Sequence, residues 1–69
     1  MINYIMKKSL EENLIIQIIY VKDESITTRN IKVKEIFKDR IKAYCYLRKS
    51  IRYFNIENIL SAKLLKNGR

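Results

Sequence analysis

A small, mainly β domain with one N-terminal helix is the fold class this sequence predicts, and three observations carry the prediction. Isoleucine and tyrosine, types that favour half-buried pleated positions, make up much of a hydrophobic content of 48%. Apolar Ile41, Ala43, Cys45 and Leu47 alternate without a break with Lys42, Tyr44, Tyr46 and Arg48, the period of a strand with one face buried. Helical spacing of apolar residues occurs only near the start, at Ile2, Ile5, Met6 and Leu10. At 69 residues the chain has room for a single core. A domain of that length buries only about 60% of its unfolded surface, so its net stability is expected at a few kcal/mol unless a partner covers more of it.

The helix is expected over residues 2–13, with Lys7–Glu11 and Lys8–Glu12 four apart and Asn13 as its stop. Leu14 to Val21 is β-branched and apolar in both phases, which predicts a strand covered on both faces, one of them by the helix. Polar residues 22–25 read as a turn. In the next strand, Thr27 to Lys38, Ile31 and Val33 share one phase while Ile36 lies in the other. The pattern therefore slips near Glu35 and predicts a bulge or sharp bend. Turns at residues 38–40 and 48–50 bound the alternating strand, residues 51–55 form its partner, residues 55–60 look like one helical turn, and residues 61–65 a last short strand. A helix followed by about five short, tightly connected strands is the order of a small SH3-like or Sm-like barrel over residues 14–65, with a frayed basic tail at 66–69.

Composition excludes whole classes of chemistry from these residues. There is no histidine, so Ser/His/Asp, Cys/His and zinc-ligand arrangements are absent. Gly68 is the only glycine, which leaves no Gly-rich phosphate loop. Cys45 is the only cysteine and sits in the apolar phase, so no internal disulfide forms and the residue reads as a core thiol. No apolar run reaches membrane-spanning length and the first residues are amphipathic, so a cytoplasmic protein without membrane association or cofactor is expected. The net charge of +8, from 15 Lys+Arg against 7 Asp+Glu, fits attraction to nucleic acid as well as simple solubility.

The hairpin RIKAYCYLRKSIRYF, residues 40–54, interleaves tyrosines with basic residues. If its loop is Arg48, Lys49 and Ser50, then Tyr46 faces Arg52 and Tyr44 faces Phe54, so that Tyr44, Tyr46, Arg52 and Phe54 share a face beside Lys42, while Leu47 and Ile51 join the core. Rings beside guanidinium groups suit single-stranded nucleic acid, because bases stack on the rings and arginine bonds the phosphate. With a two-residue loop Arg52 faces Leu47 and the grouping dissolves. From the residues alone, Arg29 reads as a surface charge ahead of an anion contact, and Tyr20 as a packing residue at the barrel rim ahead of a ligand contact, its hydroxyl needing water or a partner.

With these elements in order, residues 5–64 resemble the WYL domain of bacterial transcription regulators and CRISPR accessory proteins. The likeness rests on the helix leading into an apolar strand that ends in Tyr20, the TR with Arg29, the AYC at Ala43 to Cys45, and Arg52 and Phe54 before IENI. The resemblance implies an SH3-like or Sm-like barrel and a ligand patch, in several members for nucleic acid, that includes Tyr20, Arg29 and Arg52. Asp39, Arg40 and Ile41 occupy the positions of the naming triplet, the region around Val33 lacks the usual proline, and Asn58 stands where the family carries an arginine. WYL domains commonly follow a winged-helix DNA-binding domain, and the residues before Ile5 are too few to form one.

The expected function is a non-enzymatic ligand-sensing module for single-stranded RNA or DNA, or for a phosphorylated small ligand, in a transcription-regulatory context. Its candidate site comprises Tyr20, Arg29, Tyr44, Tyr46, Arg48 and Arg52. The alternative is an interaction module, a homodimer or a subunit docking on a regulator through Leu14 to Val21 and the tyrosine-rich hairpin. A ribonuclease drawing on Glu35 or Glu57 with Arg52 is a third reading, and nothing in the spacing singles those carboxylates out.

Overall fold

The computed structural model describes residues 2–65; the expected frayed tail at 66–69 lies outside the described residues. Helix α1 (Ile2–Glu12) precedes five strands, β1 (Ile16–Lys22), β2 (Ser25–Ile36), β3 (Arg40–Cys45), β4 (Ser50–Asn55) and β5 (Ile59–Leu64), with a 3-10 turn at Ile56–Asn58 before β5. All neighbours are antiparallel, in the order β4-β3-β2-β1-β5. Among the described residues no helix is long and apolar enough to cross a membrane.

Asn13 ends α1 in the left-handed region at φ 57°. The Leu14 N–H then bonds back to the Ser9 carbonyl at 3.1 Å, the six-to-one bond that closes a helix with a left-handed residue after its cap. Of the two expected intrahelical pairs, Lys8–Glu12 forms, at 2.7 Å. Leu10, expected on the apolar face, is exposed; the buried positions of α1 are Met6 and Ser9. The reason lies in the sheet. Continuing the β1–β2 register past Ile16 opposite Ile31 would set Leu14 opposite Val33, and the Ser9 hydroxyl stands between them. It accepts from the Val33 N–H at 2.9 Å and donates to the Leu14 carbonyl at 2.7 Å. A leucine there would leave both backbone groups without a partner in a site closed to water.

The β1–β2 turn consists of Asp23 and Glu24, both at positive φ, as a two-residue hairpin of the type I′ kind requires. In β2 the register with β3 shifts between Val33 and Glu35, where the apolar pattern slips, and in β1 the register with β5 shifts between Ile19 and Tyr20. Ile16, Ile18 and Tyr20 are buried, whereas Gln17, Ile19 and Val21 are only half-buried. The expectation that this strand is covered on both faces is therefore corrected: its apolar outer phase lies on a half-open surface. The core joins that inner phase to Ile31, Val33, Ile41, Ala43, Cys45, Phe54, Ile59 and Met6.

The sheet curls strongly. Laid flat, β4 and β1 would be three strand spacings, about 14 Å, apart. Instead the Tyr20 ring meets the Phe54 ring edge-on at 5.0 Å, and the Tyr20 hydroxyl accepts the Asn55 N–H at 3.1 Å. The 3-10 turn follows at once, held by the Ile56 N–H on the Asp39 carbonyl at 2.9 Å. No ladder joins β4 to β5 among the described residues, so the sheet is curled but not closed.

Candidate functional site

The α1 helix covers one end of the concave inner face, against β2, β5 and β1. The other end, between the β1–β2 hairpin and the start of β4, opens into a cavity of about 390 Å³. The pleat dictates what lines it. Directly paired residues of an antiparallel sheet point to the same side, and β1–β2 pairs Ile18 with Arg29, Tyr20 with Thr27 and Lys22 with Ser25. The inward phase that buries Ile18 and Tyr20 thus carries Arg29, Thr27 and Ser25 outward along β2 to the cavity wall.

From the other side, β3 and β4 pair Ala43 with Arg52 and Ile41 with Phe54. Arg52 is accordingly in the core phase of its strand, two residues from buried Phe54, and reaches the cavity because β4 runs past the packed region there. Its Nε donates to the Ser50 hydroxyl at 3.3 Å. Arg48 enters from the β3–β4 loop. Four of the six residues singled out from sequence, Tyr20, Arg29, Arg48 and Arg52, therefore meet around one opening.

The other two do not. The loop is neither of two nor of three residues but of four, Tyr46 to Lys49, with Cys45 opposite Ser50 and Lys49 at φ 55°. This register puts Tyr44 opposite Ile51, on the outer face with Tyr46, their rings 4.9 Å apart and edge-on. The expected grouping of Tyr44 and Tyr46 with Arg52 and Phe54 is thus divided between two faces. Leu47 and Ile51, expected in the core, are 65% and 44% exposed. Tyr46 leaves the strand with its N–H on the Asn30 carbonyl at 3.0 Å, and the inward phase of the Phe54 ring excludes the three-residue loop.

Charge at the opening is strongly one-sided. Lys22, Arg29, Arg48 and Arg52 face it with a single carboxylate, Asp23. The ion pairs among the described residues are Lys8–Glu12 and Asp39–Arg40, so none of these four cations forms an ion pair with a described residue. Arg29 is held in place from behind: its Nη1 donates to the Cys45 sulfur at 3.7 Å, while its Nε is buried without a partner. A guanidinium so placed has donor capacity that the protein does not satisfy. The Cys45 thiol itself is fully buried. Burial pushes its pKa up, but the backbone N–H of Arg48, the Arg29 guanidinium and the backbone N–H of Leu47 outweigh that and hold it below the ordinary value.

Lys22, Ser25, Thr27 and Tyr53 also line the cavity and escaped sequence reasoning. Stepping back by two from Ile31 along β2 would have reached Arg29, Thr27 and Ser25; Tyr53 carried no such signal. Glu35 pairs with Lys42 and Glu57 lies in the 3-10 turn, and neither lines the cavity. Among the described residues no cluster of three or more Cys, Asp or Glu could hold a metal ion. No family model matches the chain, and no curated protein matches it.

Proposed function

We propose that this domain is a non-enzymatic binding module for a phosphate-bearing ligand, a single strand of nucleic acid or a nucleotide, taken up in the cavity of Tyr20, Arg29, Arg48 and Arg52 in a transcription-regulatory setting. The observation that carries the reading is the set of four cations, none in an ion pair with a described residue, around one concave opening, three of them arginines suited to forked bonds with phosphate oxygens. The volume falls in the range of small-ligand pockets, about 300–1,000 Å³. The net charge of +8 adds long-range attraction. The WYL resemblance supports it as well, since it assigns a ligand patch to Tyr20, Arg29 and Arg52. The curl of the sheet, tied across by Tyr20 and Asn55, is likewise in keeping with an SH3-like or Sm-like barrel.

Fluorescence anisotropy with short single-stranded RNA and DNA at several salt concentrations tests this. With about four phosphate contacts, log K falls against log salt with a slope near −3, and Arg52→Ala weakens binding and reduces the slope by about 0.7. Binding that is absent, or equal in wild type and Arg52→Ala, sinks the proposal. It would favour the interaction-module reading, for which the specific observation is edge strand β4 with Leu47, Ile51 and Tyr53 exposed around it. That reading requires a melting temperature that rises with protein concentration.

A further inference from the structure

The outer face carries a second opening that the phosphate reading leaves unused. Gln17, Thr28, Asn30, Tyr46 and Leu47 line a cleft of about 320 Å³ where the β3–β4 loop leaves the sheet. Its chemistry differs from that of the basic cavity: two carboxamides, the Thr28 hydroxyl, the Tyr46 phenol ring and the Leu47 side chain, without a charged group. Gln17 and Asn30 are cross-strand partners, and the Gln17 Nε2 donates to the Asn30 Oδ1 at 3.4 Å. That bond leaves the Asn30 amide donors and the Gln17 carbonyl oxygen unspent, an adjacent donor and acceptor of the kind that pairs with the edge of a nucleobase. Tyr46 is 37% exposed, and the edge-on contact with Tyr44 fixes its ring. A fixed exposed ring is a surface on which a base can stack.

The two openings share walls. Along β2, Thr27 and Arg29 face the basic cavity while Thr28 and Asn30 face the cleft. In the loop, Arg48 belongs to the cavity and Tyr46 and Leu47 to the cleft. Pairing of β2 with β3 runs from Ile31 onward, so residues 25–29 of β2 pair only with β1 and present a free edge between the openings. We infer that the cleft is a base-binding site, and that the ligand is a single-stranded nucleic acid crossing this edge with a phosphate in the cavity and a neighbouring base on Tyr46. This rests on the phosphate reading above and narrows it from any phosphorylated ligand to a polynucleotide.

Two labelled eight-residue DNA strands separate the claims, an oligothymidylate and an abasic strand with the same backbone. A base stacked on a ring contributes about 1–3 kcal/mol, so the wild type is expected to bind the thymidylate about 5- to 150-fold more tightly than the abasic strand. Tyr46→Ala removes that preference and leaves abasic binding unchanged, Tyr46→Phe keeps it, and Arg52→Ala weakens both strands alike. Asn30→Ala, which keeps the backbone carbonyl, flattens preferences among the four homopolymers. Equal wild-type affinity for the two strands, or an undiminished preference in Tyr46→Ala, overturns the base site while the phosphate cavity stands if Arg52→Ala still weakens both. A preference lost in Tyr46→Ala alongside an inert Arg52→Ala overturns the cavity instead. Binding of neither strand by the folded wild type overturns both.

Discussion

Ser9→Ala is the perturbation that tests how the helix is joined to the sheet. The Ser9 hydroxyl is fully buried and forms two bonds, from the Val33 N–H at 2.9 Å and to the Leu14 carbonyl at 2.7 Å. Removing it strands a donor and an acceptor on opposite sides of a methyl group that can bond neither. A buried unsatisfied backbone group costs about 1–3 kcal/mol. Alanine regains about 0.5 kcal/mol of helix propensity over serine, and some rebonding of Leu14 at the end of the helix softens the loss, so the net destabilisation is about 1.5–2 kcal/mol. For a domain of this size each kcal/mol lowers the melting temperature by about 4–8 °C, which gives a drop of about 6–16 °C by circular dichroism. Against a total stability of a few kcal/mol that loss is large. Hydrogen exchange gives the local readout, with the Val33 amide losing protection by more than the global loss of stability explains. A Ser9→Ala protein that melts within about 2 °C of wild type, with Val33 protection unchanged, would refute the view that this hydroxyl joins helix to sheet.

Three further outcomes are expected. Tyr20→Phe keeps the ring against Phe54 but removes the acceptor of the Asn55 N–H, and urea denaturation should show a loss of about 1 kcal/mol; an unchanged midpoint would mean that the β1-to-β4 tie rests on ring packing alone. Glu24→Gly relieves a non-glycine residue held at φ 67° in the β1–β2 turn and should raise stability by about 0.5–1 kcal/mol, with a lowered melting temperature counting against the turn assignment. The Cys45 pKa is depressed in the folded state, so thiolate formation favours the fold: the stability of wild type relative to Cys45→Ala should increase as pH rises from the folded pKa toward 9.0, and be smallest below that window. A flat difference across those pH values would show that the N–H donors at Arg48 and Leu47 and the Arg29 guanidinium do not reach the sulfur.

Much of the fold was legible as local pattern. The amphipathic start, the unbroken alternation from Ile41 to Cys45 and the phase slip near Glu35 each report a period that a helix, a half-buried strand or a bulge imposes on its own few residues. Ser9 was not legible. Its role depends on a backbone N–H in β2, 24 positions away, and a small polar residue in a helix gives no sign of a buried partner. The site divides along the same line. The inward phase of Arg29 follows from its distance to Ile31, and that of Arg52 from its distance to Phe54, because side chains two apart in a strand share a face.

What the tertiary structure alone decided was which faces belong together. A hairpin loop of two or four residues gives Arg52 the parity of Ala43 and Cys45, while one of three gives it that of Tyr44. The choice was made by Tyr46 bonding to Asn30 and by the burial of the Phe54 ring, neither of which the hairpin's own residues specify. The curl that brings β4 back over β1 is a further step removed, since bulges, twist and the Tyr20–Asn55 bond act together to produce it. By itself the sequence determined the elements, their order and the excess of positive charge; packing at long range determined that Arg29, Arg48 and Arg52 gather at one opening while Tyr44 and Tyr46 stand on the other side of the sheet.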